Sequence, residues 1–270
     1  MTPEDLQRIR ASQGWRTQRV ELIHGTSAGS VIVKGQRPAR SVARYRLLNG
    51  VARWAGLPLL RAAPPHGGAR AQAVEVARLR HLAAAGVRVP RVLHVDEEFF
   101  VQDWLGDVRL DKRLRRRREA LAWWQRGLGT LVDVHARGQY LSQAFARNFI
   151  ASDDALSMID FEDDPLEVMT LDEAQARDWL AYLHASALAF HDKAPAPQAE
   201  CAALLRAAFA GERAPVRRLV LETAQRLRWV LRLPVGSGRG WRRHIAILQM
   251  AVSLMLAAET QTPTRPRTQR

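Results

Sequence analysis

The run Arg147-Asn148-Phe149-Ile150-Ala151-Ser152-Asp153-Asp154-Ala155-Leu156-Ser157-Met158-Ile159-Asp160-Phe161-Glu162 decides how this chain is read. Asn148-Phe149-Ile150 and the segment from Leu156 to Phe161 read as short extended pieces, and Ser152-Asp153-Asp154 between them has the residues of a turn, so the run predicts a hairpin. Helical patterns surround it, over residues 113–137, 170–191, 199–210, 215–233 and 242–258. Before Gly106 the character changes. Residues 19–33 read strand, turn, strand, with His24-Gly25-Thr26-Ser27-Ala28-Gly29-Ser30 as the turn, and helices are expected over 41–60 and 71–85. Val87 to Leu93 reads as extended chain, and Phe99-Phe100-Val101-Gln102-Asp103-Trp104-Leu105 as an apolar strand running into Gly106. The expectation is an α+β protein: a small β-rich unit over 1–105, a larger helical unit over 106–259 with the hairpin embedded in it, and a disordered Thr/Pro/Arg-rich tail over 260–270.

Composition narrows the class. With 270 residues, 47% hydrophobic and 25% charged, the chain is neither collagen, coiled coil nor disordered. A single cysteine, Cys201, excludes an intramolecular disulfide framework and a cysteine-rich zinc module, and fits a reducing compartment, so a cytoplasmic location is expected. Residues 1–14 mix Glu4, Asp5, Arg8 and Arg10 and lack the apolar core of a secretory signal. The longest apolar stretch, 245–258, is interrupted by Gln249 and Ser253 and falls short of the roughly 20 residues a spanning helix needs. It reads as a buried helix, with a membrane-surface helix as the other possibility because Trp241-Arg242-Arg243-His244 precedes it. The formal net charge of +14 predicts attraction to polyanions, whether nucleic acid, anionic lipid or phosphorylated sugar. Among 41 basic residues only Lys34, Lys112 and Lys193 are lysine, which singles each of them out.

Several residues carry chemistry. Val31-Ile32-Val33 ends in Lys34, just after the turn that holds Gly25 and Gly29, and Glu75 lies in the second helix. Asn148 and Asp160 fall at adjoining ends of the hairpin strands, where an amide oxygen and a carboxylate offer the hard ligands magnesium prefers. His135, His184 and His191 lack the paired spacing of a zinc site, the Gly25 turn lacks the Gly-Lys-Ser/Thr ending of a P-loop, and Ser142 has no His/Asp partnership in view.

The order of these parts resembles the protein-kinase-like fold, and residues 20–191 resemble the lipopolysaccharide core sugar kinases, the Kdo and heptose kinase family. In that family a segment His-Ala-x-Gly-x-Tyr-His-Arg-Asp-Leu-Asn-x-x-Asn precedes an Asp-Phe pair. Here His135-Ala136-Arg137-Gly138-Gln139-Tyr140-Leu141-Ser142-Gln143-Ala144-Phe145-Ala146-Arg147-Asn148 matches its length without a gap. The resemblance implies a two-lobe fold and an ATP- and Mg²⁺-dependent phosphotransferase. In it Gly25 and Gly29 cover the phosphates, Lys34 contacts them, Glu75 pairs with Lys34, Gln102 lies in the adenine-binding hinge, and Asn148 and Asp160 hold the metal. Asp178 matches the helix aspartate that buttresses the catalytic loop. The acceptor implied is a phosphorylatable sugar or lipid at the cytoplasmic membrane face.

Gln143 departs from the pattern, occupying the slot of the catalytic aspartate. An amide can orient a hydroxyl through its carbonyl oxygen but is no base near neutral pH. Glu162 and Asp163 could supply a carboxylate from another direction, or Glu162 is only a surface charge. Two functions therefore stand side by side: a kinase in which Gln143 orients the acceptor, and a pseudokinase that keeps the cleft as a nucleotide-binding or structural scaffold. A kinase for a protein or antibiotic acceptor is a third reading, against which the basic surface speaks for a cationic aminoglycoside. The run Lys112-Arg113-Leu114-Arg115-Arg116-Arg117-Arg118 is either a solvated face or an anion-facing patch for peripheral contact with a membrane, and no nucleic-acid motif accompanies it.

Overall fold

Val31 and Val33 alternate with Ile32 and Lys34 along a strand that is covered on both faces, and the architecture follows from that alternation. In the computed structural model, which describes all residues except 39–41, 55, 65, 117, 154, 192–194, 235–240 and 260–270, β1 (Val20–Thr26) and β2 (Gly29–Gly35) form the first hairpin. β3 (Val92–Val95) and β4 (Phe99–Asp103) form the next, and the four strands make an antiparallel sheet in the order β1-β2-β4-β3. The expected disordered tail lies outside the described residues.

One face of the sheet carries Val31, Val33, Phe99 and Val101, which pack with Ile9 and Trp15 from two N-terminal helices, α1 (Pro3–Ala11) and α2 (Gly14–Gln18). Thr2 and Asp5 close a capping box at the start of α1, a signal present in Thr2-Pro3-Glu4-Asp5. The Asp5 carboxylate also accepts from the Ser27 hydroxyl (2.5 Å) and amide (3.0 Å), so α1 is tied to the β1–β2 turn. Phe100, on the other face, joins the main core.

That core is built by helices. After α3 (Val42–Trp54), α4 (Gly68–Ala84) buries Val76, Leu79 and Leu82, which follow one another at three-residue spacing along one helical face. A continuous helix is expected over 113–137, but the chain forms a short α5 (Leu110–Arg113) and a separate α6 (Ala120–Ala136). The basic run past Leu114 has no apolar side to bury and its like charges repel, so the helix restarts only at Ala120. α6 packs with α7 (Leu171–His191): the Trp124 indole donates to the Ser186 hydroxyl (2.9 Å) and the Tyr182 hydroxyl to the Trp124 carbonyl (2.9 Å). α8 (Pro195–Ala210), α9 (Ala214–Arg226) and α10 (Trp241–Glu259) complete the helical part. The helix expected over 215–233 stops at Arg226 and continues as a 3-10 turn, Arg228–Arg232. α10 buries Ile247, Met250, Ala251, Val252, Leu254 and Met255 within the main core, so the apolar 245–258 stretch is a core helix. Among the described residues no helix is long and apolar enough to cross a membrane. The hairpin that opened the sequence reading forms as expected, β5 (Phe149–Ser152) against β6 (Ala155–Met158). The result is a mixed α/β protein with a small antiparallel sheet and a larger helical part.

Gly127 in α6 faces the fully buried Tyr182, whose hydroxyl a Cβ at that position would overlap. Replacing a helical glycine by alanine gains about 1 kcal/mol of helix propensity, but overpacking costs about 1–3 kcal/mol and here displaces a hydrogen-bonded ring. Gly127→Ala is therefore expected to lower stability by about 1–2 kcal/mol in urea titrations, where a rise in the midpoint would contradict this packing.

Candidate active site

Lys34 stands near the end of β2, opposite Val20 on one side and Phe100 on the other, and is 7% exposed. α4 crosses behind it and brings Glu75, whose Oε1 lies 2.5 Å from Lys34 Nζ. The Asp160 Oδ1 is 3.5 Å from the same nitrogen. An ammonium this buried is tenable only with carboxylates around it, and removing one partner of such a pair costs about 3–5 kcal/mol.

The hairpin delivers Asp160. Phe149 pairs with Met158, and the Ile159 amide donates to the Asn148 carbonyl (2.9 Å), so Asn148 and Asp160 sit at adjoining strand ends. The Asn148 amide donates to the Gln143 carbonyl (3.0 Å), which leaves its Oδ1 as the atom for a cation. Asp160 has φ +74°, a left-handed conformation that L residues adopt rarely. Among the described residues four non-glycines do so; Arg19, Ser142 and Asp160 border this cleft, and Asp153 is in the β5–β6 turn. Backbone strain concentrates at such places when surrounding contacts fix it.

The loop between α6 and β5 is held from two sides. The Leu141 amide donates to Asp178 Oδ2 on α7 (2.5 Å), the position expected to buttress this loop. The His135 ring lies between that oxygen (3.5 Å) and Glu212 Oε2 (2.5 Å), which also accepts from the Trp179 indole (2.8 Å). From the sheet side, Arg78 on α4 donates to the Gln139 side chain (3.0 Å) and the Tyr140 carbonyl (2.5 Å), with its guanidinium 3.5 Å from the Tyr140 ring centre. Gln143 is thereby fixed, and its amide donates to Asp163 Oδ2 (3.0 Å). A carboxylate thus stands beside the residue that replaced the expected aspartate.

Not every expected residue joins this cluster. Gly25 and Gly29 make the β1–β2 turn with φ of +69° and +87°, but the turn lies at the end of the sheet where the Trp104 amide donates to the Ser30 carbonyl (3.2 Å). Lys34 is five residues further along β2, about 17 Å away at strand rise. The turn is fastened to α1 by Asp5 and by Arg8, whose guanidinium donates to the His24 carbonyl (3.1 Å). Its glycines do not reach the Lys34 end of the strand. Gln102 pairs in register with Ile32, on the same face as Lys34, and its Oε1 is buried with no hydrogen-bond partner among the described residues. Such an orphan acceptor suits an N–H donor from a ligand.

Two residues at the site were not singled out from the sequence. Arg19 ends α2 and Arg37 follows β2, and both reach Glu162: Arg19 by an ion pair, Arg37 from Nη1 to Oε2 at 2.6 Å. Arg37 also contacts Asp163 Oδ1 (2.9 Å), and Glu162 Oε1 is 3.9 Å from Lys34 Nζ. The cavity they share with Gln72, Glu75 and Phe100 holds only about 10 Å³. In the basic run, Arg113 pairs with Glu119 (3.2 Å) and lies over Trp123, so part of that patch is used internally.

Among the described residues no three acidic, histidine or cysteine side chains converge as a metal site. Asn148 and Asp160 offer two hard oxygens, a set that fits magnesium shared with phosphates and water. Neither a family model nor a curated protein sequence matches the chain.

Burial disfavours the charged form of His135, but its bonds to Asp178 and Glu212 outweigh this and raise its pKa above the usual 6.5. Stability from a raised pKa is complete below the unfolded value and is lost as pH climbs through the folded one. Denaturation midpoints are expected to fall as pH rises above 6.5, and His135→Leu should lose stability and flatten this dependence; an unchanged slope in the variant would assign it elsewhere.

Proposed function

We propose that this chain is an ATP-dependent phosphotransferase with a protein-kinase-like two-lobe arrangement, in which the small sheet and α4 grip the phosphates and the helical part carries the metal and acceptor sides. The observation that carries this reading is Lys34 Nζ held between Glu75 and Asp160, at 2.5 and 3.5 Å, with Asn148 beside Asp160. A structural ion pair needs one carboxylate. A lysine shared between a helix glutamate and a carboxylate in strained backbone, next to a second hard oxygen donor, is an arrangement suited to a metal-bound polyphosphate.

Each side chain then has a task. Lys34 presents a point charge to the phosphates, and Glu75 fixes its direction. Asn148 and Asp160 would hold Mg²⁺, which, when bound, neutralises charge developing on the transferred phosphoryl group. Gln102 offers its unpaired oxygen to the adenine. Gln143 turns an oxygen to the acceptor hydroxyl. A missing general base slows such transfers by about a hundred- to ten-thousand-fold, yet phosphoryl transfer depends mostly on positioning and electrostatic stabilisation, so turnover survives. A sugar or lipid-type acceptor of the lipopolysaccharide kind, met at the cytoplasmic membrane face, agrees with the net charge of +14 and with the exposed arginines after Leu114.

A second reading, a nucleotide-binding scaffold without turnover, is favoured by Gln143 itself, an amide where the resemblance implies a carboxylate. Calorimetry with a non-hydrolysable ATP analogue, with and without magnesium, tests the site. Magnesium should tighten binding, and Asp160→Asn should remove that gain while the protein stays folded; no binding in either condition would end both nucleotide readings. Phosphate transfer from ATP to sugar and lipid acceptors then separates enzyme from scaffold. Gln143→Asp is expected to raise turnover about tenfold or more, and a fall would mean that the amide is part of the working geometry.

A further inference from the structure

Glu162 is buried, and its two carboxylate oxygens meet three cations from the sheet side: Oε1 faces Arg19 and Lys34, and Oε2 faces Arg37. We propose that Arg19, Arg37 and Lys34 form a phosphate cradle, and that Glu162 is its internal occupant, exchanged for phosphate oxygens when a polyphosphate binds. This rests on reading the Lys34 cleft as a phosphate site.

The geometry supports it in four ways. The hairpin glycines lie at the far end of β2, so whatever holds phosphates near Lys34 comes from the other end, where Val20 faces Lys34 and Arg19 precedes it. Arg19 keeps a left-handed backbone, φ +68°, and its guanidinium reaches across to Glu162. Its Nε is buried with no hydrogen-bond partner among the described residues, so the carboxylate does not use all that this guanidinium offers. A phosphate has more oxygens than a carboxylate and can occupy such a fork fully. Arg37 is anchored independently, donating from Nε to the His66 carbonyl (2.9 Å) and pairing with Asp163, and so stays in place when Glu162 leaves.

Charge dictates an exchange rather than an addition. Glu75, Asp160, Glu162 and Asp163 set four carboxylates against the three cations. A polyphosphate cannot share those cations with an ionised Glu162 at contact distance. The cavity that Arg19, Arg37 and Glu162 line holds roughly 10 Å³, too little for a phosphate group beside the Glu162 side chain.

The experiment uses the full chain with magnesium tripolyphosphate and, separately, the magnesium complex of a non-hydrolysable ATP analogue, with near-ultraviolet circular dichroism to verify folding. Glu162→Gln, which removes the competing charge, should tighten tripolyphosphate binding at least tenfold. Arg19→Gly keeps a residue suited to the left-handed backbone and removes the guanidinium, and should weaken binding at least tenfold in the otherwise unchanged chain. Equal or weaker binding by Glu162→Gln, or no effect of Arg19→Gly, overturns the cradle. The nucleotide reading fails differently: tripolyphosphate responds as expected but the ATP analogue binds no better than tripolyphosphate. If Glu162→Gln does not fold, Glu162→Asp, which withdraws the carboxylate by one methylene, should tighten binding severalfold, and its failure to do so also overturns the proposal.

Discussion

The ion pair between Lys34 and Glu75 is the constraint around which the rest is arranged. An ammonium at 7% exposure must be compensated by opposite charge within hydrogen-bond reach. The compensation comes from parts distant in sequence: α4 supplies Glu75, and the loop after β6 supplies Asp160 and Glu162. These contacts join the small sheet to the helical part electrostatically, while Phe100 and the apolar face of α4 join it through the main core. The opposite face of the sheet is closed separately by α1 and α2. The sheet is thus gripped from both sides, and its one lysine points toward the helical part.

Lys34, Glu75, Asn148, Asp160 and Asp178 were legible because each belongs to a local pattern, and lysine is rare enough here to stand out. Arg19 and Arg37 were hidden for the opposite reason: arginine is so common that no single one draws notice, and their partner Glu162 is 143 and 125 residues away in sequence. The hairpin glycines show a further limit. Sequence announces a turn through its residues, but which end of the sheet the turn occupies depends on strand direction and register, fixed only when β2 pairs with β4. Helix limits failed in the basic run after Arg113, whose exposed arginines offer no face to bury, and beyond Arg226, where the chain keeps Val230 buried in a tighter 3-10 turn.

The loop carrying Gln143 is a case of strain held by over-determination. Ser142 sits at φ +65°, and the flanking backbone is pinned by Asp178 at Leu141 and by Arg78 at Tyr140. The Tyr140 hydroxyl in turn donates to Asp164 (2.7 Å), so the loop before Gln143 and the segment after Glu162 are fastened to each other. His135, wedged between Asp178 and Glu212, makes the buttress a charged unit rather than a single carboxylate. Removing any member leaves a buried charge without its counterpart, which is why such units resist piecemeal change.

On the phosphotransfer reading, this bears on what the missing aspartate means. A carboxylate is not absent from the neighbourhood of position 143; it stands at Asp163, bonded to the Gln143 amide and paired with the buried Arg37. Its two oxygens are both engaged, Oδ1 by the Arg37 guanidinium and Oδ2 by the Gln143 amide. Its use is to hold Gln143 still, with the amide nitrogen engaged and the carbonyl oxygen turned elsewhere. Arg37 spans both Glu162 and Asp163, so a phosphate that displaces Glu162 also bears on the group that orients Gln143. On that reading, the phosphate side and the acceptor side share one guanidinium, that of Arg37.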